Sequence, residues 1–318
     1  MLRTLLLSLA LAVTTPAVGL AQSWSYTGGD GKTVTMDHVP ARIVADSGAA
    51  AALISFGIRP VGIYGNNPPD QEKQLEGVDI TGIAIVGEAW GEIDVEKVAA
   101  LRPDLIIADY WPFDNAYQGF EEGVSDSTKQ VLALAPITGP EQGSSAVKLI
   151  EDYAALAESL GADLNAPAIA DARARFEQSR ESFRAAVGGK PNLTVLPVWA
   201  GTDALYIAAT AGSSELSDFA SWGLKLISPE LADDRGYWET LSWEAADKYQ
   251  PDLIIVDNRS PTTLETAKAQ PTWTTMKAAA AGQVAEWPAF WLRTYATYAA
   301  ELDKLTAAIN AADENLTN

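Results

Sequence analysis

Two stretches decide the fold of this chain: EKVAALRPDLIIAD at residues 96–109 and EAADKYQPDLIIVD at residues 244–257. The opening Glu, the Pro-Asp-Leu-Ile-Ile core and the closing Asp coincide. Each stretch predicts a helix that ends at the Pro, because the Pro ring cannot continue the hydrogen-bond ladder. The apolar run that follows is typical of a strand buried on both faces of a parallel sheet. The duplication predicts two similar α/β lobes with a ligand cleft between them.

The order of elements around these repeats predicts how the chain is divided. Strands alternate with helices on both sides, which favours an α/β fold of two Rossmann-like lobes with parallel sheets. We place the N-terminal lobe at residues 22–165 and the C-terminal lobe at residues 191–318. Residues 166–190 contain a long Ala-, Arg- and Glu-rich helix, Ala166–Val187, which we interpret as the connection between the lobes.

The first residues have the pattern of a signal peptide. Arg3 supplies a positive start, residues 5–13 are apolar but too short to span a bilayer, and Gly19-Leu20-Ala21 suits cleavage. We therefore assign residues 1–21 to a signal peptide. The chain has no Cys, which excludes a lipid anchor on Cys, disulfides and thiolate metal sites. An exported, unanchored protein of the bacterial periplasm fits these features.

The charge of the chain limits its partners. The formal net charge is −20, and so acidic a surface repels nucleic acid and anionic membranes. The chain also contains ten Trp, and large aromatic side chains often line ligand sites. We expect a monomer that binds a small, neutral or cationic molecule.

The order and spacing of several short motifs resemble a known family. The motifs are Arg42-Ile43-Val44 before a small-residue helix, Pro60-Val61-Gly62, the two Glu-helix-Pro-Asp units, and Leu205-Tyr206-Ile207-Ala208 before a Gly/Ser loop. Together they resemble the periplasmic binding proteins of ABC importers for ferric siderophores, haem and cobalamin. The resemblance implies two lobes joined by one long helix, and a protein that binds and delivers its ligand without catalysis.

The resemblance also implies a membrane partner. In this family, an acidic residue on each lobe docks on arginines of the dimeric ABC permease in the inner membrane. By their position in the repeat, Glu96 and Glu244 match those two residues. Two exposed carboxylates far apart would suit a symmetric basic partner. The alternative is that each Glu only stabilises the start of its own helix through the helix dipole.

Candidate ligand contacts come from a rule of α/β sheets. Ligands bind beyond the carboxyl ends of parallel strands, so the residues that follow each predicted strand should line the cleft. Aromatic faces would pack on flat or aliphatic parts of a ligand, and Arg would contact its oxygens. The candidates are Tyr64, Trp90, Tyr110, Trp111, Trp199, Tyr237, Trp238, Arg259, Trp291 and Arg293.

The nature of these side chains favours one ligand class. The candidate cleft cations are few, whereas a ferric tris-catecholate, with its large negative charge, would need a basic cleft. A ferric siderophore of the hydroxamate or mixed type fits better, with the iron held by the chelator and no protein cofactor. Haem, with Tyr64, Tyr110 or Tyr237 as axial ligand, and cobalamin stay open as alternatives.

A metal site of the protein itself and an enzyme are both disfavoured. His38 is the only His, and a zinc or manganese site built on imidazole or thiolate needs several His or Cys. Hydrolase chemistry is a remote alternative, because Gly-x-Ser-x-Gly is missing and a catalytic triad would depend on His38. Glu88 and Glu92 could form a carboxylate pair, but nothing near them supports glycosidase chemistry.

Overall fold

The computed structural model describes residues 23–230, 233 and 236–317. The segment assigned to a signal peptide, residues 1–21, lies outside the described residues. Among the described residues, no helix combines the length and the apolar character needed to cross a bilayer.

The first half of the chain forms a lobe of strands and short helices, which we call the N-terminal lobe. Its strands are β1 (Trp24–Thr27), β2 (Thr33–Met36), β3 (Ile43–Asp46), β4 (Gly62–Gly65), β5 (Ala84–Glu88), β6 (Leu105–Ile107), β7 (Tyr110–Trp111), β8 (Ala116–Tyr117) and β9 (Ile137–Thr138). Its helices are α1 (Ser47–Ser55), α2 (Val95–Leu101), α3 (Asp126–Lys129) and α4 (Ala146–Ser159), with 3-10 helices at Lys73–Leu75 and Gln130–Ala133.

The main sheet of this lobe is parallel throughout, as the sequence predicts. Its strand order is β5-β4-β3-β6-β9. The apolar run of the first repeat is β6, which is fully buried beside β3. At the carboxyl end of β3, Asp46 caps α1: its Oδ1 accepts hydrogen bonds from the backbone N–H groups of Gly48 at 2.7 Å and Ala49 at 3.0 Å.

A helix of 22 residues, α5 (Pro167–Gly188), follows the first lobe. It agrees with the predicted helix to within one residue at each end. Pro167 occupies its first turn, where a missing N–H costs nothing. The C-terminal lobe follows it, with strands β10 (Thr194–Ala200), β11 (Ala204–Ala208), β12 (Lys225–Leu226), β13 (Trp238–Ser242), β14 (Leu253–Asp257) and β15 (Val284–Trp287). Its helices are α6 (Ser214–Ser221), α7 (Thr263–Lys268), α8 (Lys277–Ala280) and α9 (Tyr295–Ala311), with 3-10 helices at Thr210–Gly212, Trp243–Lys248 and Trp273–Thr275.

The sheet of the C-terminal lobe is mixed, where the sequence analysis expects a parallel one. The order is β13-β11-β10-β14-β15, with β12 beside β10. The repeat strand β14 pairs in parallel with β10, as β6 does with β3, but β11 runs antiparallel to both β10 and β13. The loop from Ala200 to Ala204 is the cause, because so short a connection forms a hairpin and cannot make a parallel crossover.

The two lobes share one apolar core and several polar contacts. The C-terminal helix α9 packs along α5, with the rings of Phe176 and Tyr298 at 5.1 Å. Asp218, on α6 of the C-terminal lobe, caps α4 of the N-terminal lobe by accepting hydrogen bonds from the N–H groups of Ala146 and Val147 at 3.0 and 3.1 Å. The lobes are therefore joined by side-chain contacts as well as by α5.

Candidate ligand-binding site

A cleft of about 620 Å³ lies between the lobes. That volume is within the usual range for small-molecule sites, about 300–1,000 Å³. Both lobes contribute to its walls, at the carboxyl ends of their strands. The lining residues are Asn66, Asn67, Glu72, Lys73, Gln74, Trp90, Trp111, Phe113, Asp114, Gln118, Glu121, Glu122, Arg259, Phe290 and Trp291. Four of the predicted contacts, Trp90, Trp111, Arg259 and Trp291, are therefore brought together here.

Aromatic side chains form much of the cleft wall. Trp90 is 50 % exposed and Phe113 is 58 % exposed, so both offer a large apolar surface to a molecule in the cleft. The hairpin β7–β8 carries Phe113 at its tip. The rings of Phe113 and Tyr237 are 5.1 Å apart, and those of Trp111 and Phe290 are 6.1 Å apart. This N-terminal hairpin thus reaches the C-terminal lobe through ring contacts.

Two cations line the described part of the cleft, and each contacts both an anion and an aromatic ring. Arg259 donates hydrogen bonds from Nε and Nη2 to Asp257 Oδ2, at 2.9 and 2.6 Å, and its guanidinium lies 4.9 Å from the ring centre of Phe290. Lys73 forms an ion pair with Glu76, and its Nζ lies 5.0 Å from the ring centre of Trp291. Their positive charge at the cleft is correspondingly reduced.

Carboxylates outnumber these cations in the cleft wall. Glu72, Asp114, Glu121 and Glu122 line it, against Lys73 and Arg259. Burial raises the pKa of Glu121 above its ordinary value, and the charge of Asp114 acts in the same direction. The wall that the described residues form is therefore acidic, which disfavours a strongly anionic ligand.

Arg293 does not line the cleft. Its side chain is 1 % exposed. Its Nε donates a hydrogen bond to Asp109 Oδ2 at 2.7 Å, and Nη2 donates one to Gln142 Oε1 at 2.6 Å. The guanidinium thus crosses from the C-terminal lobe into the N-terminal lobe, where its charge is neutralised. Gly48 makes room for it, because a Cβ there would lie 3.2 Å from Arg293 Nε.

Two predicted tyrosines belong to the interior of the N-terminal lobe. Tyr64 is buried, and its hydroxyl donates a hydrogen bond to the carbonyl oxygen of Gln118 at 2.9 Å. The hydroxyl of Tyr110 donates one to Asn115 Oδ1 at 2.7 Å. Neither hydroxyl points into the cleft as a haem ligand would have to.

Trp199 and Trp238 form a separate aromatic group with Tyr206. Trp199 and Tyr206 face each other across β10 and β11 with ring centres at 4.6 Å, and Trp238 lies 6.5 Å from both. These half-buried rings do not line the cleft. The neighbouring Tyr237 lies beside the cleft through its contacts with Phe113 and Phe290.

Sequence reasoning missed most of the polar lining. Asn66, Asn67, Glu72 and Gln74 follow β4 in a loop that continues past the residue directly after the strand. Phe290, next to the predicted Trp291, also lines the cleft. Its φ of 63° turns the backbone at this point, a conformation that is uncommon for a residue with a side chain. In the sequence, the loop with Gly and Pro at residues 65–70 is the pattern that could have indicated Asn66, Asn67, Glu72 and Gln74 as lining residues.

The two candidate docking residues are both exposed. Glu96 lies in the first turn of α2, whose start is capped by the Asp94 side chain. Glu244 lies in the 3-10 helix of the second repeat, where hydrogen bonds from its own backbone N–H and from Ser242 lower the pKa of its carboxyl. The second repeat helix is thus irregular, whereas the first is α-helical. Both carboxylates are accessible to a partner.

Metal-ligating side chains are not gathered anywhere in the described residues: no group of three or more His, Cys, Asp and Glu is placed to hold an ion. His38 is exposed, with its Nδ1 2.7 Å from Asp37 Oδ1.

A buried group of carboxyls beside the cleft predicts a pH effect on stability. Burial, followed by the charge of Asp109, raises the pKa of Asp46 to about 8, against about 3.9 in an unfolded chain. The folded state therefore keeps a proton that the unfolded state loses, and stability falls as the pH rises through this interval. We expect the urea midpoint to decrease between pH 5 and pH 8, and to decrease less in Asp46→Asn.

Asp46→Asn is the probe because its amide oxygen can still cap α1, while its NH2 group replaces the oxygen that accepts a hydrogen bond from the N–H of Asp109 at 2.9 Å. The comparison is therefore of the change in midpoint with pH and not of absolute stability. His38 also loses a stabilising charge as the pH rises, since Asp37 raises its pKa, so His38→Asn is the control. An identical pH dependence in wild type and Asp46→Asn would contradict the assignment to Asp46.

The sequence and the fold both match known proteins. A family model described as periplasmic binding protein matches residues 58–289. The crystal structure of DesE, a ferric-siderophore receptor protein from Streptomyces coelicolor, superposes with a TM-score of 0.81 at 32% identity, over 92% of this chain and 99% of DesE. The chain therefore belongs to the periplasmic binding protein family, as its motifs suggest, and its members are substrate-binding proteins and not enzymes.

Other relatives differ in what they bind. The Fe(3+)-citrate-binding protein YfmC of Bacillus subtilis is 26% identical over 260 residues, which is 80% of this chain and 75% of YfmC. The vitamin B12-binding protein of Salmonella typhimurium is 29% identical over 136 residues, which is 36% of this chain and 46% of that protein. Membership of the family therefore establishes the class of protein. The ligand has to be inferred from the residues that line the cleft.

Proposed function

We propose that this protein captures a ferric siderophore of the hydroxamate or mixed type in the cleft between its lobes and delivers it to an ABC permease. The observation that carries the proposal is the composition of the cleft wall. Among the described residues of the wall, exposed aromatic side chains lie beside four carboxylates and two cations, both already paired. The similarity to DesE over nearly the whole chain supports an iron chelate as the class of ligand.

The charge of the complex decides between chelate types. Three catecholates around Fe³⁺ leave a large negative charge, which the carboxylates of the cleft would repel. Three hydroxamates, with one negative charge each, leave a neutral complex. Aromatic faces such as Trp90 and Phe113 can pack on the aliphatic parts of such a chelate. The iron is held by the chelator, so the protein needs no metal ligands of its own.

The proposal also includes the location of the protein and its contact with the permease. The protein would be exported by the segment 1–21, stay unanchored in the periplasm as a monomer, and present Glu96 and Glu244 to the permease. The lobes would close only modestly, because α5 and the interlobe contacts of Arg293 and Asp218 resist large movements.

Quenching of intrinsic Trp fluorescence tests the function. The panel contains ferric hydroxamates, ferric catecholates, ferric citrate, haem, cobalamin and the iron-free chelators. Trp90, Trp111 and Trp291 line the cleft, so an absorbing ferric complex should quench strongly. Saturable quenching by ferric hydroxamates at submicromolar concentration is the expected result. Binding of haem or cobalamin alone would overturn the siderophore assignment and keep the protein family.

Arg259→Ala should weaken binding of an oxygen-rich chelate by about 1–3 kcal/mol, because a charged hydrogen-bond donor at the cleft is lost. Arg259 is 44% exposed in its side chain, so it can contact both Asp257 and a ligand. Isothermal titration with the best chelate of the panel measures the effect.

Arg184→Ala is the matched control, since Arg184 is an exposed arginine on α5, paired with Glu181 at 3.6 Å. A melting curve shows whether the loss of Arg259 harms the fold through the uncompensated Asp257. Unchanged affinity in Arg259→Ala would remove Arg259 from the site.

A further inference from the structure

A buried carboxyl group of the C-terminal lobe has one oxygen that accepts no hydrogen bond. Glu215 lies in the first turn of α6 and is 0 % exposed. Its Oε2 accepts hydrogen bonds from the hydroxyls of Ser213 and Ser214 at 3.1 and 3.0 Å, whereas its Oε1 has no partner among the described residues. A buried acceptor in this state costs free energy. It therefore needs a donor that the described conformation does not supply.

Arg293 is a charged donor close enough to act on this carboxyl. Burial raises the pKa of Glu215, and the positive charge of Arg293 acts against that rise. Arg293 directly precedes the cap of α9, and α9 packs on α6, with the rings of Phe219 and Tyr298 at 6.4 Å. Glu215 and Arg293 therefore belong to one packed unit of the C-terminal lobe, and they should stay near each other when the lobes move.

In the described conformation, the guanidinium of Arg293 is used by the N-terminal lobe. Its Nε and Nη2 contact Asp109 Oδ2 at 2.7 and 2.6 Å, and Nη2 also donates a hydrogen bond to Gln142. Nη1 donates one to the carbonyl oxygen of Leu292 at 2.8 Å. One guanidinium thus lies near two buried carboxyls on different lobes. Asp109 receives its hydrogen bonds and Glu215 receives none.

We propose that Arg293 has two alternative partners, Asp109 while the lobes are together and Glu215 when they separate, so that Glu215 is a positioning residue for opening of the cleft. The inference rests on the proposed function, in which the lobes move to admit and release a ligand. The cap that Asp218 places on α4 stays in place as the pivot. Separation takes the guanidinium away from Asp109, and Glu215 Oε1 accepts a hydrogen bond in its place.

The second partner matters because of the cost of an unpaired buried charge. Without Glu215, separation would leave the guanidinium of Arg293 in the protein interior with no anion, which is strongly unfavourable. Asp109 has less need of a new partner, since it keeps the hydrogen bond from Tyr153 and meets water as the contact opens. The exchange therefore keeps the two conformations close in free energy, so that a ligand that prefers one of them can shift the balance.

The distance between two spin labels, one on each lobe, tests the exchange in the whole protein. The labels are attached at Ala100→Cys on α2 and at Asp247→Cys in the 3-10 helix of the second repeat, and both positions are exposed. The chain has no Cys of its own, so labelling occurs only there. Double electron–electron resonance on the ligand-free protein should show two distances, and the longer one belongs to the separated lobes.

Two substitutions should shift these populations in opposite directions. Asp109→Asn weakens the partner on the N-terminal lobe and should enrich the longer distance. Adding Glu215→Gln should lower the ratio of long to short distances about tenfold, as for the loss of a hydrogen bond to a charged group. The Gln oxygen can still accept from the two serines, whereas its NH2 group cannot accept from Arg293. Glu215→Gln alone should deplete the longer distance in the same way, so the test does not depend on Asp109→Asn.

Glu301→Gln is the matched control. Glu301 is a second buried carboxyl of the C-terminal lobe, 4 % exposed on α9, and it pairs with Lys304 at 2.6 Å. Since Arg293 is not its partner, its replacement should leave both distances populated as in the parent protein.

The outcomes distinguish an exchange of partners from a structural role. If Glu215 only supported α6, Glu215→Gln would lower the melting temperature and leave the ratio of distances unchanged, which would overturn the inference. One single distance in both the wild type and Asp109→Asn would overturn it as well. The measurement uses no ligand, so its failure is separate from a failure of the fluorescence panel, which would overturn the proposed function.

Discussion

Replacing both Glu96 and Glu244 by Ala is expected to abolish iron import while ligand affinity stays at the wild-type value. The two carboxylates are exposed on different lobes, and neither lines the cleft. If they pair with arginines of a symmetric permease, each lost pair costs about 2–5 kcal/mol at a desolvated interface. The double loss would therefore lower productive docking by at least about two orders of magnitude.

The measurement is stimulation of permease ATPase activity in proteoliposomes, together with uptake of radiolabelled iron. Glu158→Ala/Glu181→Ala, on exposed faces of α4 and α5, removes the same charge away from both repeats and should transport normally. Each single variant should show an intermediate defect. Normal stimulation by the double variant would rule out these residues as the docking pair and favour the helix-dipole alternative.

Replacing Arg293 by Met is expected to destabilise the fold by about 3–5 kcal/mol, because it leaves the buried charge of Asp109 without its partner. The carboxylate of Asp109 is 2% exposed in its side chain and lies 2.6 Å from Arg293 Nη2. The hydroxyl of Tyr153 also donates a hydrogen bond to it, which cannot replace a full positive charge. The urea midpoint at pH 7 measures the loss.

Two further variants make this result specific. Adding Asp109→Asn to Arg293→Met removes the uncompensated charge and should recover part of the stability. Arg175→Met breaks the exposed pair with Asp303, whose side chains are 53% and 40% exposed, and should cost about 0–1 kcal/mol. If Arg293→Met were no less stable than Arg175→Met, the interlobe pair would have no structural role.

The repeat and the connecting helix could be predicted because their signals are local. A Pro at the end of each helix and an apolar run after it fix the units around Glu96 and Glu244, and the Pro and Gly residues that bound α5 fix its length. Binding-protein motifs then identified the family. The antiparallel direction of β11 could also have been predicted from the sequence, since the short loop after Ala200 requires a hairpin.

The contents of the cleft were harder to predict, for a physical reason. The carboxyl end of a strand indicates the edge of the sheet, but side chains alternate between its faces. Tyr64 follows the rule by position and still points into the core of its lobe. Arg293 lies in a segment that borders the cleft, yet its charge is satisfied by Asp109 on the other lobe. No sequence pattern shows a partner so distant along the chain.

The cap that Asp218 places on α4 has a consequence for how the molecule folds. Two N–H groups in the first turn of α4 donate their hydrogen bonds to Asp218, a residue that is synthesised 72 positions after Ala146. Tyr298, still later in the chain, donates a hydrogen bond to the same carboxylate at 2.9 Å. An N-terminal half on its own would therefore lack the contacts that complete it. We therefore expect the molecule to fold as one cooperative unit once its last helix is present.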